Sequence, residues 1–148
     1  VVDVAERQRW MSLLAQATSE DLDGAWKRLP TSLSYRVLRG PETGLVMVRG
    51  RAGGTGARFN LGEMTVTRCT VELADGTIGH AYVEGRSGRR AEQAAALDAL
   101  LQEPTRRAIL EELVVAPLLA GREAHRSAVR ARAAGTRVEF FTMVRGEE

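Results

Sequence analysis

The chain has 148 residues, 44% of them hydrophobic, and a formal net charge of +2, which allows one domain burying about 70% of its unfolded surface and argues against bulk nucleic-acid binding. One cysteine, Cys69, with only His80 and His125 beside it, excludes an internal disulfide framework and a zinc site of the usual kind; with no charged-then-apolar leader, this predicts a cytoplasmic protein. The longest apolar stretch, around Ile109–Ala120, is broken by Glu111, Glu112 and Pro117, and it falls short of the ~20 residues a membrane span needs.

The first segment reads as a helical hairpin. Val4, Met11 and Leu14, with Trp10 alongside, form one apolar stripe at helical spacing. Thr18 and Asp21 have the spacing of a capping box, and Leu22, Ala25, Trp26 and Leu29 continue a second helix up to Pro30. Such a pair suggests a DNA-binding helix-turn-helix, the alternative reading of function. Asp21, Asp23 and Trp26 stand where a groove-reading helix would carry polar and basic groups, so a packed hairpin is the preferred reading.

The middle is strand-like. Ser34–Arg39 alternates, and Gly44–Arg51 carries Leu45, Val46, Met47 and Val48 in succession. A glycine-rich loop comes next, and then Glu63–Leu73 and Thr77–Gly85 flank Asp75-Gly76, a strong hairpin signal. A two-residue turn there would pair Leu73 with Ile78, Val71 with His80 and Cys69 with Tyr82, burying Cys69, Val71, Leu73, Ile78 and Tyr82 together. Met64 and Val66 have the opposite parity, which predicts a bulge near Thr67–Arg68. The last third is helical: alanine-rich Gly88–Leu101 should pack closely on the sheet, Pro104 and Pro117 divide the rest into shorter helices, and Gly135 stops the last of them. Val138–Val144 is a short apolar tail. The prediction is a single α+β domain over residues 1–148, with an N-terminal helical hairpin, an antiparallel sheet of about four strands, C-terminal helices, and a docking tail over 138–148.

Three groups of residues invite chemistry. Gly53-Gly54-Thr55-Gly56-Ala57-Arg58-Phe59 could turn backbone N–H groups around an anion gripped by Arg58, although it matches neither phosphate-loop fingerprint; its plain reading is a sharp connection between strands. Asp98 falls on the stripe of Ala91, Ala94, Ala95 and Leu101 that should face the core, and a buried carboxylate there needs a cation or several donors, an arginine side chain or the backbone. Arg68, Arg86 and Arg58 are the candidates, with Arg68 as the preferred partner. In the tail, Phe140, Phe141, Met143 and Val144, followed by Arg145, favour burial, either back onto the chain's own sheet or, as the preferred reading, against another chain. Lys27 is the sole lysine. The arginine excess is explained better by GC-rich coding than by phosphate or partner chemistry, and Arg122, Arg126 and Arg130 make a basic stripe of the kind that is usually solvated. His80 and Cys69 read as buried structural groups. No nucleophile–base pair or paired carboxylates emerge.

These residues resemble the G subunit of carbon–phosphorus lyase. The likeness runs through Arg9-Trp-Met-Ser12, Glu42-Thr-Gly-Leu45, the Gly53–Phe59 loop, Thr65-Val-Thr-Arg68, Asp75-Gly76, Gly85-Arg86, Ala91-Glu92, Asp98-Ala-Leu100 and the ending Phe140-Phe-Thr-Met-Val-Arg-Gly146. Little between Gln102 and Arg137 matches beyond Pro117. The resemblance implies a core complex with the H, I and J subunits, two copies of each, and a first step, supported with the L protein, in which methylphosphonate displaces adenine from ATP to give ribose 1-methylphosphonate 5-triphosphate. It implies that the displacement belongs to the I subunit and that carbon–phosphorus cleavage uses the J subunit's iron–sulfur cluster and S-adenosylmethionine. For this chain it implies a supporting role with no cofactor of its own, ATP being the complex's substrate, and a homodimer alone or within the complex.

Overall fold

A computed structural model describes residues 2–29 and 33–136. The element order is α1 (Val4–Gln16), α2 (Ser19–Arg28), β1 (Tyr35–Arg51), β2 (Arg58–Leu73), β3 (Ile78–Glu84), α3 (Gly88–Leu101), α4 (Pro104–Leu110) and α5 (Ala116–Gly135). The expected α+β organisation holds, with helices at either end of an antiparallel sheet in the order β1-β2-β3. Among the described residues the sheet has three strands where about four were expected, because the strand-like segments at 34–39 and 44–51 fall in one long strand. Register shifts between Val37 and Arg39 and between Arg39 and Glu42 absorb the Gly40-Pro41 step within β1.

Both starting helices are locally encoded. Asp3 caps α1, and at α2 the Thr18 hydroxyl accepts from Asp21 N (3.1 Å) while the Asp21 carboxylate accepts from Thr18 N (3.0 Å). Trp10, Leu13 and Leu14 of α1 and Leu22 and Ala25 of α2 are buried, whereas Val4 is exposed. Glu20, Asp21 and Asp23 stay out of the core, so the first turns of α2 carry carboxylates that DNA phosphates would repel, while Lys27 and Arg28 lie in its last turn.

The core lies between α3 and one face of the sheet. Ala91, Ala94, Ala95 and Ala99 keep the helix thin, and Gly79 lets β3 approach its backbone directly. A Cβ on Gly79 would stand 2.0 Å from the Ala95 carbonyl oxygen and 2.6 Å from Ala99 N. Cys69, Val71 and Leu73 of β2 and Ala81 and Val83 of β3 complete this face.

The β2–β3 register differs from the predicted one by a residue. Gly76 N donates to the Leu73 carbonyl (3.0 Å) and Leu73 N to the Thr77 carbonyl (2.9 Å), with Gly76 at φ +86°. This is a three-residue loop, a type I turn closed by a left-handed glycine, instead of a two-residue turn. Val71 therefore faces Gly79 and Cys69 faces Ala81. The slip turns Ile78, His80 and Tyr82 outward, so the expected burial of Ile78 and Tyr82 is overturned; they are 40% and 54% exposed. Met64 and Val66 need no bulge at Thr67–Arg68, since β2 pairs with β3 without interruption from Val66 to Glu72.

Pro117 does not end a helix. The chain runs from α4 through a π turn at Glu111–Val115 into α5. Proline has no N–H for the carbonyl four residues earlier, that of Leu113, and Arg28 Nη1 donates to that oxygen instead (3.2 Å). Beyond Leu118, α5 has no further buried residue, so most of a helix about 30 Å long leaves the body.

Candidate functional site

Asp98 is fully buried, and its two oxygens receive four donors. Arg7 of α1 makes a forked contact, Nε to Oδ1 at 3.1 Å and Nη2 to Oδ2 at 2.7 Å. Trp10 Nε1 donates to Oδ1 at 2.9 Å and the backbone N–H of His80 to Oδ2 at 2.9 Å. Arg7 and Trp10 share a face of α1 because they are three residues apart. The carboxylate thus staples α1, β3 and α3 together. The expected partner Arg68 is elsewhere: it lies on the outer sheet face, where its Nε and Nη2 both donate to Glu42 Oε2, at 2.9 and 2.7 Å. Arg68 is adjacent to buried Cys69 on a strand, so alternation turns it away from α3. Its hydrogen bonds hold the Glu42 carboxyl below the usual carboxylate range, and Glu42 in turn raises Arg68.

With every lone pair directed at a donor and no solvent contact, Asp98 serves as an anchor instead of a base. Above it, a cleft is lined by Arg7, Met11, His80, Gln102 and Arg107. Its cations are already engaged: Arg7 by Asp98, and Arg107 by Glu6 (3.1 Å) and by the Leu101 and Gln102 carbonyls. Arg107 also lies over the Trp10 ring, 5.6 Å from its centroid. Gln102 Nε2 and Arg90 Nη1 reach the Ile78 and Glu84 carbonyls, so α3 and its C-cap also satisfy backbone groups of β3.

The glycine loop lies at the tip of a projecting arm. β3 ends opposite Val66, and beyond that point β1 and β2 continue as a two-stranded ribbon, pairing Leu45 with Thr65 through to Arg51 with Arg58. Gly53 (φ +58°) and Gly54 (φ +80°) make the tight turn, closed by Gly56 N to the Ala52 carbonyl (2.9 Å) and Arg51 Nη1 to the Gly56 carbonyl (3.1 Å). Gly53, Gly54, Thr55 and Arg58 are exposed and Gly56 partly so; Asp98 is not among their neighbours in the fold. Sequence reasoning missed the arm as a unit. Its signal was the parity of Met64 and Val66, opposite to that of the core residues further along the same strand.

The remaining chemical groups are separate. The Cys69 thiol donates to the Arg39 carbonyl, and burial, followed by the Glu92 charge, pushes its pKa up, the reverse of an activated thiol. His80 is exposed instead of lying in the core, and its Nδ1 meets the Thr70 hydroxyl at 3.2 Å. Arg122, Arg126 and Arg130 lie along α5. Phe140, Phe141, Met143, Val144 and Arg145 lie outside the described residues. Among the described residues no three His, Cys, Asp or Glu side chains gather as metal ligands, and no helix is long and apolar enough to cross a membrane.

Comparison with known proteins adds what this geometry leaves open. Residues 5–146 match the family described as phosphonate metabolism protein PhnG. The chain is 49% identical to the alpha-D-ribose 1-methylphosphonate 5-triphosphate synthase subunit PhnG of Rhizobium meliloti (strain 1021), over 98% of this chain and 92% of that protein. This chain belongs to the PhnG family of phosphonate metabolism proteins.

Proposed function

We propose that the chain is a supporting subunit of a carbon–phosphorus lyase core complex, acting in its ribose 1-methylphosphonate 5-triphosphate synthase step. The observation that carries this reading is the near full-length identity to a subunit of a synthase with that name. In the reaction a methylphosphonate oxygen forms a bond to C1 of the ATP ribose while the bond from that carbon to adenine breaks, adenine taking the electron pair. Such a displacement needs the phosphonate positioned, the leaving base assisted and the triphosphate held. Among the described residues, the candidate groups in the body of the fold are occupied otherwise: Asp98 is saturated by donors, the Cys69 thiol is buried and raised, and Arg7 and Arg107 hold carboxylates. The chemistry is therefore assigned to another subunit, with ATP as substrate of the assembly. In keeping with the resemblance, the partners are the H, I and J subunits and the L protein, in an assembly with two copies of each core chain. The Gly53–Phe59 loop and the tail at 138–148 are the proposed contact segments, and the tail also offers a route to a homodimer.

The test is direct. The purified chain, given ATP and methylphosphonate, should release no adenine, and release should appear when the partner subunits are added. Adenine release by this chain alone, surviving a control for contaminating nucleosidase, would overturn the supporting role. Failure of the chain to co-purify with any synthase subunit would overturn subunit membership.

A further inference from the structure

The β1–β2 arm carries apolar groups with no layer over them. Residues facing each other across an antiparallel ladder share a face, which places Val46 and Val48 with Met64 on one side. The side-chain space above Gly50 is bounded by Phe59 and Leu61, so these extend the same face toward the tip. Phe59, Leu61 and Met64 are 46%, 65% and 37% exposed. An isolated two-stranded ribbon is at best marginally stable in water and acquires stability from a third layer. Within the described residues this chain supplies none.

The opposite side carries exposed Leu45 and Met47, with Glu63 opposite Met47, nearer the body and becomes basic toward the tip. Arg51 and Arg58 are directly paired across the strands, and Arg49 lies on the same side of β1, two residues before Arg51. Like charges facing each other across a ladder repel, and among the described residues no carboxylate lies within ion-pairing distance of any of the three. Glu42, near the base of the arm, is already engaged by Arg68. A second copy of the arm would add three more arginines at the tip and worsen the repulsion.

We propose that this arm inserts into another subunit of the synthase, into a cleft with an apolar wall for Val46, Val48, Phe59, Leu61 and Met64 and carboxylates that meet Arg49, Arg51 and Arg58. The proposal rests on the subunit reading above and adds the segment that makes the contact and the chemistry of its receptor. The anion at the tip is a partner carboxylate, so the arm acts in assembly and does not hold substrate triphosphate.

The experiment co-expresses the tagged full-length chain with the other synthase subunits and measures the yield of captured complex. Leu61→Asp and the combined R49E, R51E and R58E chain should each lower that yield about tenfold or more, while the circular dichroism and melting temperature of the isolated chain stay near wild type. A photo-crosslinking residue at position 61, in an otherwise native chain that keeps its fold, should form an adduct with a different subunit. Wild-type yield from both variants defeats the arm proposal alone. An adduct between two copies of this chain defeats the chosen occupant, and intact assembly with weakened ATP binding moves the tip to a substrate role; either result overturns the proposal. A wild-type chain that captures no subunit defeats the subunit reading and the arm with it.

Discussion

The contact of α3 with β3 and the β1–β2 arm are built from similar material, strands rich in small and apolar residues, yet they solve opposite problems. At α3 every concession is to closeness: alanines line the helix, Gly79 brings β3 onto its backbone, and Asp98 fastens both to α1. In the arm the apolar residues are larger, face outward and are left in solvent. The body is stabilised by contacts it makes with itself, and the arm carries apolar residues that no other described part of the chain covers. The two regions should therefore respond differently to substitution, the body through stability and the arm through assembly.

A large loss is expected at the staple. Asp98→Ala leaves Arg7 uncompensated and removes the acceptor for Trp10 and His80. Breaking a buried ion pair costs about 3–5 kcal/mol, and because Arg7 is 29% exposed the lower end, about 3 kcal/mol, is expected once solvent screening is allowed for. Chemical denaturation of the isolated chain measures it, and a loss below about 1 kcal/mol would mean that the four donors find water as readily as the carboxylate. Gly79→Ala comes next. The added methyl meets backbone atoms at 2.0 and 2.6 Å, so strand and helix must separate, with an expected cost of about 2–3 kcal/mol. A structure of that variant with the β3–α3 spacing unchanged would contradict the close-approach account.

A paired measurement sharpens the contrast. Leu97→Ala, at a fully buried position, should cost about 2–5 kcal/mol. Leu61→Ala, at a position 65% exposed, should stay within about 0.5 kcal/mol in the isolated chain. If Leu61→Ala destabilises the isolated chain as much as Leu97→Ala does, the arm is part of the chain's own fold.

What was legible in the sequence was local or periodic. The Thr18–Asp21 capping box needs only four residues, and the placement of Asp98 among core alanines needs only helical periodicity. The partner of Asp98 was not legible, because Arg7 lies 91 residues away and is one of many arginines that could have served; only its spacing from Trp10 hinted at a shared face. The hairpin register was missed because Asp75-Gly76 serves two turn types, and the left-handed Gly76 closes the longer one, inverting every outward and inward assignment in β3. Pro117 read as a break because nothing local indicates that Arg28 would take the freed carbonyl. The parity of Met64 and Val66 read as a fault to be repaired within one buried face. It marked instead where the strand's apolar residues change sides, from the face on α3 to the face carried outward along the arm.

A smaller effect than those of the core tests the end of β1 that lies in the body, away from the arm. Tyr35, at the start of that strand, still belongs to the body: its hydroxyl donates to Glu92 Oε1 of α3 at 2.8 Å and its ring meets Trp26 edge-on at 6.1 Å. Burial first, then the hydrogen bond and charge of Glu92, push its pKa from 10.0 up to about 12. The folded chain thus holds the phenolic proton more firmly than the unfolded chain does. The associated stabilisation is fully present below the unfolded value near 10 and is lost as pH rises through about 12. Tyr35→Phe lacks this proton and should lose about 1 kcal/mol at neutral pH, the net value of an ordinary hydrogen bond. The difference in urea midpoint between wild type and Tyr35→Phe should accordingly be constant up to pH 10 and shrink between pH 10 and 12, with other alkaline titrations cancelling in the comparison. A difference that stays unchanged across that window would mean that Glu92 does not hold the proton.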